Sequence, residues 1–368
     1  MSSSQRFQAL DVFRGMTICF MIIVNTPGND MSFSPLHHAK WNGFTPTDLV
    51  FPSFLFAVGN ALSFVMSKWD TKTQAEVLTK IFKRTALIFL LGYLMYWFPF
   101  FRLDETGHII AAPISNTRIL GVLQRIALCY GIAALMIYYL KPRLSVIMSV
   151  VLLFVYWIIM YAFGDYTLEG NAGLKFDLWL MGEKHLYHGE GIAFDPEGWL
   201  STMPAIGNVI GGYIAGKFIQ QKGKSYEGLA KLLLTGFALF AIAYFWNLSF
   251  PINKKLWTSS FVLHTVGLDC MILAAIIYVI DFLHKTKGVY FFEVVGKNPL
   301  TIYLLSELLA TVLYMIKVGD KNLFEWIYDN IFSYAGDYFG SLAFSVTYML
   351  VCWSVGYFMD KKKIYIRV

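Results

Sequence analysis

Long apolar stretches recur along this chain, separated by short polar segments. Ten of them stand out, at about 9–26, 47–67, 84–101, 118–140, 143–163, 199–217, 228–247, 259–282, 289–315 and 336–359. Each is near 20 residues, the length an α-helix needs to cross a hydrocarbon core of ~30 Å. The pattern predicts an all-α fold: a polytopic integral membrane helical bundle of about ten transmembrane helices. The longest polar connection runs over 164–198, is rich in acid, Gly and His, and could cover one face as a lid. Neither an internal repeat nor a low-complexity linker is evident. A single transmembrane domain over 1–368 is expected, with 164–198 as an extracytoplasmic loop.

Composition sharpens this picture. Of 368 residues, 57% are hydrophobic and only 15% charged, too little polar surface for a soluble domain of this length. Ten Trp and 22 Tyr suit the aromatic belts at two lipid–water interfaces. Membrane lipid is therefore the expected surrounding. The N-terminus enters the first apolar stretch with no small-residue cleavage site, so a cleaved leader is not expected. Cys19, Cys129, Cys270 and Cys352 each sit inside an apolar stretch and read as small buried hydrophobes.

The net charge of +6 does not point to nucleic acid, because the basic residues follow a topological pattern. Lys68, Lys72, Lys80, Lys83 and Arg84 cluster after the second stretch, and Lys217, Lys222, Lys224 and Lys231 after the sixth. Lys361, Lys362, Lys363 and Arg367 mark the tail. The excess of Lys and Arg in cytoplasmic loops then places both termini in the cytoplasm. The loops at 27–46, 164–198, 248–258 and 316–335 face outward.

Chemistry concentrates in His38-Ala-Lys-Trp41-Asn42-Gly-Phe-Thr-Pro-Thr-Asp48, which enters the second stretch from outside. Polar groups at the edge of hydrocarbon need partners or a function. Histidine, the residue type at position 38, is the one side chain here that ordinarily titrates near neutral pH without help. Asp48 can cap a helix or fix the imidazole tautomer so that the second ring nitrogen acts as a base. Asn25, at the outer end of the first stretch, can donate to a developing oxyanion. The plainer reading is an interfacial histidine beside a helix cap. His185 and His188 have a spacing of three but no nearby Cys or further His, so a solvated loop is expected there and no metal. Arg125, inside the fourth stretch, needs a partner or a cavity. Glu307, Asp269 and Glu293 are candidate partners for such cations.

The segment from His38 to Phe54 resembles the signature of the heparan-α-glucosaminide N-acetyltransferase family. The resemblance continues in Leu10-Asp-Val-Phe-Arg14-Gly, in Arg118-Ile-Leu-Gly-Val-Leu-Gln124-Arg125 and in Phe194-Asp195-Pro-Glu197-Gly. It returns in Pro251-Ile-Asn-Lys-Lys-Leu-Trp257 and in Gly296-Lys297-Asn298-Pro299, six blocks in the same order over nearly the whole chain. It implies a bacterial, membrane-only member of the inner membrane, without the large lumenal region of the animal enzymes.

The resemblance implies transfer of acetyl from cytoplasmic acetyl-CoA to a glucosamine-type amine on the far side. His38, Asp48 and Asn25 are the implied catalytic residues. Either His38 acts as general base, or it carries the acetyl group covalently. CoA phosphates call for cations and helix-end donors, which nominates Arg14, Arg84, Gln124, Arg125, Lys297 and Asn298. Trp41, Asn42, Asp195 and Glu197 are the candidates for sugar recognition. The resemblance is compatible with a homodimer. The rival class is an aminosugar transporter, since polar groups in a bundle and a proline-broken ninth stretch also suit a carrier.

Overall fold

The computed structural model describes residues 8–69, 71–103, 108–222 and 224–366. Arg367, one of the basic tail residues, lies outside them. In chain order the helices are α1 (Gln8–Asn25), α2 (Val50–Met66) and α3 (Gln74–Trp97), then α4 (Val122–Phe163), α5 (Ala172–Met181) and α6 (Trp199–Lys222). They continue with α7 (Tyr226–Trp246), α8 (Ser259–Ile277), α9 (Val289–Lys297), α10 (Pro299–Met315), the short α11 (Leu323–Ile327) and α12 (Asp337–Lys361). Among the described residues, two small antiparallel strand pairs interrupt them. β1 (Phe101–Leu103) pairs with β2 (Ile109–Ala111) with Arg102 opposite Ile110, and β3 (Lys317–Val318) pairs with β4 (Lys321–Asn322).

Every apolar stretch predicted from the sequence is helical over most of its length. By length and composition, six helical segments among the described residues qualify to cross a membrane: α1, Pro46–Met66, α4, α7, Ser259–Phe282 and α12. The bent pair α9 and α10 makes a seventh if it counts as one span. Helices α3 and α6 are long, at 24 residues each, but not apolar enough to qualify.

Two breaks follow from proline chemistry. Helix α4 runs 42 residues but is interrupted at Lys141, whose φ of 61° and ψ of 165° are not helical. Pro142 has no N–H and disfavours helical backbone in the residue before it. The 118–140 and 143–163 stretches thus become two arms of one broken helix. Between α9 and α10 the chain bends by 83° at Asn298, immediately before Pro299.

The chain clusters into two compact units. The first gathers α1 and the loop up to Ala39, then Thr45–Phe54, and everything from Ala275 onward. Helix α1 packs on α9, α10 and α12. Its crossing with α9 is backbone on backbone: a Cβ on Gly15 would lie 1.8 Å from the Phe292 carbonyl oxygen, and one on Gly296 2.0 Å from that of Asp11. Small residues at a crossing let membrane helices approach this closely. Phe324, Tyr328 and Phe344 form a satellite core that fixes α11 to α12.

The second unit comprises Lys40–Phe44 and Leu55–Ala274. Helix α4 packs on α3 and α6, and α5 and α7 lean on α6. Helices α2 and α6 meet through Gly59 and Gly212, whose Cβ atoms would each lie 1.9 Å from a carbonyl oxygen, of Val209 and Phe56 respectively. At one end of this unit, Tyr156, Met160, Leu186, Phe194, Phe250 and Leu256 are buried together. They tie the 164–198 connection, which carries α5, onto α4 and the 250–256 segment.

Candidate active site

The local fold around His38 follows from Thr45-Pro46-Thr47-Asp48. Thr45 is extended (φ −125°, ψ 163°), and Pro46 opens a single 3₁₀ turn at the first helical position, where its missing N–H costs nothing. That turn brings the Asp48 carboxylate back over its own start. Oδ2 accepts from the Thr45 N–H at 3.0 Å and the Ala39 N–H at 3.1 Å, with the Thr45 hydroxyl 3.0 Å away. Oδ1 lies 2.7 Å from His38 Nδ1. The Asp48 side chain is 1% exposed and that of His38 43%. A buried carboxylate held by backbone donors therefore grips one face of a half-open imidazole. The tautomer that satisfies Asp48 carries its proton on Nδ1, which puts the basic lone pair on Nε2. His37 is engaged elsewhere, with Nε2 2.8 Å from the Ser32 carbonyl oxygen.

In the same unit the Asn25 amide donates to Glu307 Oε1 at 3.4 Å. The pair joins the C-terminal end of α1 to α10, and Asn25 itself is exposed. The expected Arg14–Asp11 contact is present at 3.5 Å. Arg14 also donates to the Gly296 carbonyl at 3.0 Å, at the C-terminal end of α9, where a cation is favoured. Lys297 pairs with Asp360 at 2.9 Å and Glu293 at 3.3 Å. Asn298 pins the tail, donating to the Ile364 carbonyl and accepting from the Ile366 N–H, both at 3.0 Å. Arg14, Lys297 and Asn298, all nominated for the donor, are bound into the packing of their own unit.

In the second unit, the Trp41-Asn42-Gly43 turn is knitted to the 251–257 block. Gly43, at φ 114°, donates its N–H to the Ile252 carbonyl at 2.8 Å. Asn42 Oδ1 accepts from the Asn253 amide at 3.1 Å. Trp41 Nε1 donates to the Tyr166 carbonyl at 2.9 Å. Lys40, Trp41, Asn42, Asp165, Glu190 and Pro251 help line an open cavity of about 450 Å³. Glu190 is paired with Lys255.

Asp195 and Glu197 converge on a residue not singled out from the sequence, Arg118. Its guanidinium forms a fork with Asp195 at 2.9 and 2.7 Å and reaches Glu197 at 2.5 Å. It also lies over the rings of Tyr96 and Tyr187. Burial would raise the Glu197 carboxyl, but the positive charges of Arg118, then Arg125 and Lys254, outweigh it and hold the group below its ordinary range. The signal was an arginine at a span entrance and an acidic Pro-Gly turn far along the chain, with no local cue that they pair.

Arg125 is fully buried on α4. It donates to the Gly198 carbonyl at 3.1 Å and to the Ser201 hydroxyl, and lies 4.8 Å over the Trp257 ring. Among the described residues its Nε and Nη1 have no hydrogen-bond partner, nor do the two amide atoms of Gln124 beside it. Arg84 lies 4.6 Å over the Tyr130 ring. His185 braces the loops, with Nδ1 2.8 Å from the Thr117 carbonyl oxygen.

Comparison with known proteins gives one consistent result. A family model described as "Heparan-alpha-glucosaminide N-acetyltransferase, catalytic" matches residues 6–241, a stretch that includes His38 and Asp48. The Heparan-alpha-glucosaminide N-acetyltransferase of Mus musculus is 28% identical over 385 residues, covering 87% of this chain and 56% of the relative. That of Homo sapiens is 26% identical over 364 residues, covering 82% and 53%. The chain spans about half the length of the curated relatives it matches.

Proposed function

Because the chain belongs to the heparan-alpha-glucosaminide N-acetyltransferase family, we propose that it is a multi-pass membrane acetyltransferase centred on His38. Ten helices cross the bilayer and both termini are cytoplasmic. Acetyl-CoA enters from the cytoplasm, and the acceptor is the amine of a glucosamine-type sugar on the extracytoplasmic side. The single observation that carries this reading is the His38–Asp48 pair, with Nδ1 held at 2.7 Å by a buried carboxylate.

His38 Nε2 takes a proton from the ammonium of the sugar, freeing the nitrogen lone pair. The amine attacks the thioester carbonyl, a C–N bond forms, and the C–S bond breaks. The thiolate of CoA leaves and takes up the proton from the imidazolium, and the amine's second proton passes to solvent. Asp48 stabilises the imidazolium while it lasts and keeps the ring in the orientation the step needs. In the covalent variant, Nε2 attacks the thioester first and the amine then takes the acetyl group from the imidazole. Asn25, held at the α1 end by Glu307, supplies an amide donor for the developing oxyanion.

The test is acetyl transfer by the purified protein in liposomes, with labelled acetyl-CoA and a panel of amino sugars. Label is expected on the sugar, and His38→Ala should lower the rate by about 10²–10⁴-fold with folding retained. Full transfer by a folded His38→Ala protein would remove His38 from the mechanism. The 83° bend between α9 and α10 is the feature a carrier would also use. Sugar uptake without any acetyl donor, and no transfer, would favour the carrier.

A further inference from the structure

A second cavity lies in the second unit, at the end that carries the lysines. There α2 stops at Met66, α4 breaks at Lys141, and α6 runs out at Lys222. The three ends open on a cavity of about 640 Å³, within the range of roughly 300–1,000 Å³ typical of small-molecule sites. Its walls include Lys72, Lys141, Lys217, Trp69, Tyr138 and Gln220, and among the described residues none that lines it is an aspartate or glutamate. Among the described residues, none of the three lysines forms an ion pair. Lys72 and Lys217 are half-buried and Lys141 is exposed.

Lysines on a cytoplasmic loop are ordinarily solvated and serve topology alone. Three observations set these apart. They surround one hole rather than a convex surface, so like charges converge where a polyanion would relieve the repulsion. Lys141 sits at positive φ, a conformation a non-glycine residue holds only where surrounding structure demands it. The inner end of the same helices carries an unused polar group. Gln220 Nε2 donates to Ser63 Oγ at 2.6 Å, and one helical turn deeper on α2 lies Asn60. Both Asn60 amide atoms are buried without a hydrogen-bond partner among the described residues. Asn60 Oδ1 would lie 2.9 Å from a Cβ on Gly216, the residue before Lys217. A buried amide left unpaired is a place for a ligand's own amide.

We propose that this cavity takes the phosphorylated nucleotide end of the acyl donor, with Lys72, Lys141 and Lys217 on its phosphates. Trp69 and Tyr138 supply aromatic wall for a purine ring, and Asn60 supplies the first polar contact for the amide-bearing arm that leads inward. The assignment rests on the acetyl-CoA reading above. It also differs from the residues nominated by sequence, since Arg14 and Lys297 are committed to other partners. An anionic lipid headgroup shares the phosphate chemistry but lacks the purine and the amide arm.

The experiment uses the full chain in phosphatidylcholine nanodiscs, titrated with CoA, adenosine 3′,5′-bisphosphate and glycerol 3-phosphate. The wild type should bind the first two and not the third, with affinity that falls as salt is added. The combined Lys72→Gln, Lys141→Gln, Lys217→Gln protein should bind both about tenfold or more weakly, and the matching Arg protein should recover most of that loss. If the triple Gln protein does not fold, Lys141→Gln alone should still weaken binding about threefold, since its side chain is exposed and carries one phosphate contact.

Lysine-independent CoA binding overturns the site. So does lysine-dependent binding of glycerol 3-phosphate as tight as that of the bisphosphate, which assigns the cavity to lipid headgroups. Acetyl transfer is followed in the same samples. Wild-type KM for acetyl-CoA in the Gln protein discards the cavity and leaves the acetyltransferase reading standing. A wild type that neither binds CoA nor transfers acetyl discards both.

Discussion

Two of the clusters that combine carboxylates with cationic or basic side chains are built to opposite ends. At Asp48 the acid is buried and its basic partner is open, with side-chain exposures of 1% and 43%. At Arg118 everything is enclosed: the arginine is 16% exposed, Asp195 0% and Glu197 12%. In the first cluster the carboxylate spends one oxygen on the local backbone and the other on a ring that still reaches solvent. In the second, the guanidinium is shared between two acids and flanked by two tyrosines. Residue types alone did not distinguish them. A proton-transfer site needs one partner that can still gain and lose a proton, whereas a buried bidentate pair holds architecture.

The largest effect expected from this contrast is at Asp48. Asp48→Asn keeps the volume but sets an N–H₂ among donors that already point at that position, and it removes the charge that stabilises an imidazolium. The rate of acetyl transfer should fall about 10²–10⁴-fold, with KM for both substrates near wild type. Steady-state kinetics in liposomes read this directly. A kcat within a few-fold of wild type would reduce Asp48 to a helix-turn cap and dissolve the contrast.

Next in size is Arg118→Ala, which leaves two buried carboxylates without their shared cation. The cost is about 3–5 kcal/mol, the typical result of breaking a buried pair from one side. It should appear as a lower thermal midpoint and a smaller yield of monodisperse protein, while the folded remainder transfers acetyl at a near-normal rate. Asp195 and Glu197 were expected at the sugar. An Arg118→Ala protein with an unchanged midpoint and a raised KM for the amino sugar alone would assign them that role.

The same contrast explains how much was legible beforehand. The helices, the separation of the 118–140 and 143–163 stretches and the proline break in the ninth stretch were readable because each depends on a short run of neighbours. So was the His38–Asp48 pair, whose partners are ten residues apart in one turn-rich segment. Arg118 with Asp195 and Glu197 spans 77 and 79 residues, and Asn25 with Glu307 spans 282. Such pairings are set by which helices pack together, and nothing in the local pattern records that. For the same reason the lysine cavity stayed invisible. Lys72, Lys141 and Lys217 each look like a loop lysine until three helix ends are brought to one hole.

The smallest effect sharpens the enclosed cluster from its rim. Asp177, on α5 in the 164–198 connection, is 2% exposed and accepts the Trp199 N–H at 3.0 Å. Burial pushes its carboxyl up to about 7, the neighbouring Asp195 adds to this, and the Trp199 N–H and Arg125 offset part of it. The native protein therefore holds a proton that the unfolded chain, near the ordinary 3.8, releases. Stability from this group is present at low pH, declines as pH rises through the window from about 4 to about 7, and stays lower above it. Asp177→Asn keeps an acceptor for Trp199 and imitates the neutral acid at every pH. Its thermal midpoint should exceed that of the wild type at pH 8 and match it near pH 4. The gap between about 7 and 3.8 caps the gain at about 4 kcal/mol. Gly198→Ala supplies the steric counterpart, because its Cβ would meet Asp177 Oδ2 at 1.9 Å and should destabilise at all pH values. A difference between Asp177→Asn and wild type that does not vary with pH would mean that Asp177 is ionised within its pocket, and that the enclosed cluster has an open side after all.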